Sequence, residues 1–270
     1  GYIGHTYASA GTYTIRISGS MKRYGLSGDV NIAGQTLLTR VDSFGKLGLT
    51  SLSRAFRGCT GLTSVPKTLP SEVTDMFVMF SRCSGAAFNP DVSNWDVSKV
   101  TNMRYMFYNC SGAAFNPDVS SWDVSNVTAM DSMFYGCSGA AFNPDVSKWD
   151  VSNVTDMGLQ FYNCSGAAFN GGRGPSGAGI KNWILRSGDN AVSMLSFMLS
   201  SRKQEDGFLD DILNTWAARL NLTENPLPTN ITVHFGANTY TSAGLDAYTL
   251  LTKSVELGGA GWTISSGGLV

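Results

Sequence analysis

With 270 residues, 43% of them apolar, the chain can bury a core, while only 14% are charged against about a quarter in an ordinary globular domain, so Ser, Thr, Asn and Gly must dominate its surface. A net charge of −1 gives no long-range field for phosphate backbones, which argues against nucleic acid as a partner. No apolar run approaches the ~18 residues of a membrane span. Residues 5–18 (HTYASAGTYTIRIS) contain a Gly turn and then alternate, which predicts a strand. Residues 1–40 are therefore read as an N-terminal β segment and cap.

A repeat region follows over residues 41–205. Its first two coils are degenerate: FRGC ending at Cys59 and FSRC ending at Cys83 are set 24 residues apart. Three regular 27-residue blocks come next, 84–110, 111–137 and 138–164, sharing SGAAFNPDVSxWDVSxVTxMxx(M/Q)FYxC. Twenty of the 27 positions are identical in all three; those that differ are, in the first block, Asn94, Lys99, Asn102, Arg104, Tyr105, Met106 and Asn109. Stacked coils must match where they touch and need not where they face water, so the varying positions are candidate surface. Within a coil, Val100, Met103, Met106 and Phe107 share one arc of a short helical turn, with Ser98 as its N-cap, and the preceding FNPDVSxWDV predicts one or two short strands limited by Pro90. The predicted fold is an α+β repeat solenoid of about six coils, each rising ~4.8 Å on the last.

The Gly-rich stretch 166–179 lacks the order of a phosphate loop and reads as an insertion. After it, residues 183–201 (WILRSGDNAVSMLSFMLSS) realign with the repeat, Ser201 replacing the cysteine. Residues 206–270 predict a C-terminal cap of helix, strand, helix and strand: a helix within 206–220, a strand over 230–235 (NITVHF), a helix over 242–254 and a strand over 261–264 (GWTI).

These residues resemble the BspA-like leucine-rich repeats, in the bacterial surface-protein branch whose repeat is built on WDVSxVTxMxxMF. Residues 59–66 (CTGLTSVP) look like an opening coil, 211–220 like the helix after the last repeat, and HFGANTYTSAGLDAYTLLTKS with GWTISSGG like the closing segment. The segment HTYASAGTYTIRI is similar to the last strand of an immunoglobulin-like or polycystic-kidney-disease-type domain, so further domains are expected upstream. The resemblance implies an attachment protein, extracellular, on the bacterial cell surface or on a phage virion, and it implies no chemistry. Met, Phe, Val and Trp stand here where leucines dominate that repeat, so concave-face binding does not carry over.

The repeated columns pose the site questions. Cys59, Cys83, Cys110, Cys137 and Cys164 share one coil position; a ladder of buried free thiols fits better than disulfides or metal, since five is odd and neither CxxC nor a nearby His completes a ligand set. Asp91, Asp118 and Asp145, and likewise Asp96, Asp123 and Asp150, are either Asx-turn carboxylates or bridging Ca²⁺ ligands, the turn being favoured. Asn89, Asn116, Asn143 and Asn170 read as a structural amide ladder. Trp95, Trp122 and Trp149 read as core, with a sugar-stacking stripe as the alternative. Asn94, Lys99, Arg104, Tyr105 and Lys148 are the partner-binding candidates. The two histidines, His5 and His234, come with no nucleophile motif or dinucleotide fingerprint, so neither enzyme nor cofactor is expected, Ca²⁺ aside. Two functions remain: a non-enzymatic module binding a host surface protein or glycan, or a structural virion protein, as in a tail fibre or capsid decoration, holding other virion or surface proteins. A homo-oligomer suits both.

Overall fold

The computed structural model describes residues 9, 11–25, 35–171, 179–186, 194, 197–198, 204, 207–223 and 226–270. His5, residues 172–178 of the Gly-rich stretch and Ser201 lie outside these residues. Successive coils meet side by side in parallel register through the bridges Arg23 to Ser51, Ser51 to Asp75, Asp75 to Asn102, Asn102 to Ala129 and Ala129 to Asp156. The 24-residue step from Ser51 to Asp75 therefore belongs to the same column that the 27-residue steps continue. Beside it runs a threonine column in which Thr74, Thr101, Thr128 and Thr155 each donate an N–H to the threonine carbonyl one coil earlier, at 2.9–3.0 Å.

Where the sequence predicts one helical turn, the chain makes successive tight turns instead. The N–H groups of Met106, Tyr108 and Cys110 bond back to Met103, Tyr105 and Phe107 at 3.1–3.2 Å, while those of Met103, Tyr105, Phe107 and Asn109 reach out to Ala129, Asp131, Met133 and Tyr135 of the next coil at 2.7–3.1 Å. An α-helix would turn every N–H along its own axis and leave none for the neighbouring coil. Placing every fourth residue in the left-handed region solves this. Tyr105 and Asn109 both have φ of 56°, and the equivalent pairs are Arg54 and Gly58, Val78 and Arg82, Ser132 and Gly136, and Leu159 and Asn163. The helix-like apolar spacing survives because the turns are compact, and Met103, Met106, Phe107 and Cys110 are all fully buried.

No strand forms over FNPDVSxWDV. Two turns replace it, closed by Trp95 N–H to Val92 at 3.0 Å and Val100 N–H to Val97 at 2.8 Å. The carboxylates of this segment capture the serines two residues on and hold the chain in turns. Gly112, Gly139 and Gly166 let coils approach closely: a Cβ on any of them would lie 2.1 Å from the carbonyl oxygen of the glycine one coil earlier.

Inside, side chains stack in columns. Phe80, Phe107, Phe134 and Phe161 follow one another with ring centroids 5.5–5.7 Å apart, and Phe88, Phe115, Phe142 and Phe169 at 5.7 Å. Trp183 continues the tryptophan column beyond the insertion, nearly parallel to Trp149 at 6.4 Å. One hydrophobic core runs unbroken from Phe44 to Trp262.

The C-terminal segment contains the helices α1 (Asp210–Ala217) and α2 (Ser242–Thr252) and the strands β1 (Thr232–His234), β2 (Thr239–Tyr240), β3 (Thr263–Ser265) and β4 (Gly268–Leu269). The sequence predicts the helices, β1 and β3; β2 and β4 are two residues each and carry no periodicity to detect. Strands β1 and β3 prolong the stack, and β2 and β4 pair beside them as a second two-stranded sheet. Phe161 N–H bonds to Phe197, Met198 N–H to His234, and β1 then pairs in parallel with β3 and β2 with β4. Along the N-terminal segment, residues 12–17 form no strand, and Ile15 and Ile17 are exposed.

Candidate binding surface

The columns sort into those that hold coils together and those that face out. The five cysteines are free and buried. Thiols of Cys83, Cys110, Cys137 and Cys164 donate to the carbonyls of Phe56, Phe80, Phe107 and Phe134 at 2.9–3.1 Å. Burial pushes the Cys59 thiol up to about 11 and raises the others further, so none is a ready nucleophile. Trp95, Trp122 and Trp149 are 3% exposed, and their indole N–H groups donate to Pro66, Val92 and Val119 at 2.8–3.0 Å. Rings so enclosed offer no face to a sugar, which removes the carbohydrate stripe. The Asn89, Asn116 and Asn143 side-chain oxygens accept the backbone N–H of Asn116, Asn143 and Asn170 at 3.0, 2.8 and 3.3 Å.

Each candidate Ca²⁺ carboxylate is engaged by the serine two residues on. Asp91 accepts from Ser93 Oγ at 2.8 Å, and Asp118 and Asp145 accept the N–H of Ser120 and Ser147 at 3.1 and 3.0 Å. Asp96, Asp123 and Asp150 accept the N–H of Ser98, Ser125 and Ser152 at 3.0–3.1 Å. The Ser98 hydroxyl, bonded to Asp96 at 2.6 Å, holds that carboxylate below its usual range. Among the described residues no three His, Cys, Asp or Glu side chains converge on a metal position.

The outward side of the tight-turn ladder is different. Tyr108, Tyr135 and Tyr162 form a half-buried column with centroids 4.6 and 4.8 Å apart and planes within 15°. Their faces are spent on one another, so edges and hydroxyls look out. Burial, then the neighbouring phenols, raises the Tyr135 hydroxyl above its usual range. Tyr105 packs against Tyr108 at 5.7 Å and edge-on to Phe77 at 6.0 Å, and the Arg54 guanidinium lies over Phe77 at 4.6 Å. Arg104 covers Tyr105 at 6.0 Å and pairs with Asp131 of the next coil. Burial raises the Asp131 carboxyl, against the pull of Arg104.

Of the partner-binding candidates, Arg104 and Tyr105 stand on this face. Lys99 is exposed and paired with Glu72 at 2.8 Å, and Asn94 is exposed beside Ser93. Lys148 lines a shallow cleft of about 430 Å³ with Asp123 and Asp150. Met106, one of the varying positions, is fully buried; variation there concerns packing, as Met133 and Gln160 are equally enclosed. The tyrosine column escapes a search for variation because it is identical in all three blocks.

Residues 50–172 match the family described as Mycoplasma protein of unknown function, DUF285. The matched span begins at the second coil of the bridge column and ends one residue beyond Gly171. No curated protein and no solved structure matches the chain.

Proposed function

We propose that the chain is a leucine-rich-repeat-like solenoid of the BspA type, working outside the cell, on a bacterial or virion surface, as a non-enzymatic attachment module. The observation that carries this reading is the contrast between two sides of one coil. Cys, Trp and Asn columns are used up in coil-to-coil bonds and the Gly column in close approach of coils, whereas the tight-turn face gathers half-buried Tyr105, Tyr108, Tyr135 and Tyr162 with Arg54 and Arg104. Tyr and Arg are the side chains that most often anchor interfaces, because they bring large contact area and directed donors at modest entropic cost. Among the described residues, clustered acid–base or nucleophilic groups of the kind catalysis needs do not accompany them.

The test is capture on a panel of immobilised glycans and host surface proteins, comparing the parent with Arg104→Ala/Tyr105→Ala after melting shows both to be folded. Attachment through this face predicts that the double variant loses about tenfold or more in affinity, which is 1.4 kcal/mol. Absence of any ligand, together with an ordered homo-oligomer in electron micrographs, would instead establish the virion or surface-layer spacer.

A further inference from the structure

We infer that the N-terminal half of the tight-turn face is a site for an anionic polysaccharide, one carrying sulfate or carboxylate groups; this deepens the attachment reading and rests on it. Although the chain is nearly neutral, five arginines collect on consecutive coils of this one face. The Nη2 of Arg23 donates to Ser53 Oγ at 3.2 Å, which places it against the coil that carries Arg54 and Arg57. Arg82 follows on the next coil and Arg104 on the one after. The acidic groups among them are already engaged: Asp75 bonds Ser51 Oγ, Asn102 Nδ2 and the Phe77 N–H at 2.9–3.1 Å, and Asp131 is held by Arg104. Among the described residues neither Arg57 nor Arg82 has an ion-pair partner, and Arg82 is exposed while Arg57 is half-buried. Arg82 occupies the left-handed position with φ of 63°, where the equivalent residues are Gly or Asn, which tolerate that conformation better than an arginine does.

Three features narrow the ligand to an extended polyanion of sugars. First, the arginines come about one per coil, at steps of ~4.8 Å, which spreads charge along a line rather than around a point. A single small anion at a backbone nest would need free N–H groups, yet those of Arg54 and Arg82 bond to Phe77 and Tyr108 carbonyls at 2.8 and 2.7 Å. Second, nucleic acid would need open aromatic faces on which to stack its bases. Here the tyrosine faces cover one another, and Arg54 covers Phe77. Third, an acidic peptide adding itself as a strand needs an unpaired edge, and the N–H groups of this face are bonded between coils. What this face offers outward are exposed Arg23, Arg82 and Arg104 and half-buried Arg54 and Arg57, followed by a column of half-buried phenols, which suits alternating charge and hydroxyl along a sugar chain.

The experiment measures binding of the full chain to heparin, alginate, neutral dextran and poly-glutamate across a range of salt. Two double variants of equal charge loss are compared, Arg57→Gln/Arg82→Gln within the band and Lys67→Gln/Lys253→Gln outside it. Heparin or alginate should bind, with affinity falling as salt rises, and the arginine variant should lose about tenfold more than the lysine variant. Failure of both anionic polysaccharides to bind, equal losses in the two variants, salt-independent binding by the parent, or poly-glutamate binding as tightly as the sugars would each overturn the inference. The parent's salt dependence keeps the test decisive should the arginine variant not fold. Capture that still depends on Tyr105, with no polysaccharide binding, would leave the attachment reading standing and remove only this one.

Discussion

Gln160 occupies the position that Met106 and Met133 fill in the two preceding coils, and it is just as fully enclosed. Among the described residues its Nε2 reaches only the Met130 sulfur at 3.9 Å, and its Oε1 has no hydrogen-bond partner. A buried acceptor left unsatisfied costs about 1–3 kcal/mol, so Gln160→Met should raise the free energy of unfolding by that amount in urea titrations, and a loss of stability would refute this account of the site. Asp131 is the other residue whose cost is visible. Its folded carboxyl is raised above the ordinary value by burial, so protons bind the folded chain more tightly, and its stabilising share is complete at acid pH and lost as pH rises through the raised value. Measured against Asp131→Asn, the parent should therefore be relatively more stable at pH 4 than at pH 7. A difference between the two that is flat with pH would show the carboxyl to be unperturbed.

At the scale of one coil, close approach decides which substitutions the stack tolerates. Gly139→Ala places a methyl 2.1 Å from the Gly112 carbonyl, a backbone atom that cannot swing aside. The variant should lose about 1–3 kcal/mol, the usual range for overpacking, whereas Ala140→Gly next to it, at an exposed site, should stay near the parent by thermal melting. Because each regular block ends in Cys and begins with Ser, excising residues 111–137 joins like to like and sets Tyr108 against Tyr162. If nearest-neighbour contacts carry the stability, the shortened chain folds and melts cooperatively, with unchanged circular dichroism per residue; an aggregated or non-cooperative product would mean that the coils are not interchangeable. The 27-residue period and the buried Trp, Phe and Cys positions were legible because sequence identity between blocks and apolar spacing both follow from stacking. The turns were not. An apolar spacing of three and four fits an α-helix equally well, and only the left-handed Tyr105, Asn109 and their equivalents, which are invisible to periodicity, turn alternate N–H groups toward the next coil.

Over the whole molecule, the stack does not stop where a cap is predicted, since β1 continues the column that Met194 and Met198 carry, and β3 follows β1 in parallel. Helices α1 and α2 were legible from their apolar spacing, but their relation to the stack depends on pairings across roughly thirty residues that no local pattern encodes. The serine-bound carboxylates predict that the melting temperature is the same in calcium and in chelator; a clear rise with calcium would reinstate cation bridging between coils. The thiol column has one more consequence. Five cysteines are distributed one to a coil from Cys59 to Cys164, each shielded by its own layer, and no disulfide ties them together. Alkylation caught by mass spectrometry thus works as a set of separate clocks: the order in which the five thiols take up label writes out the order in which the layers of the chain breathe open.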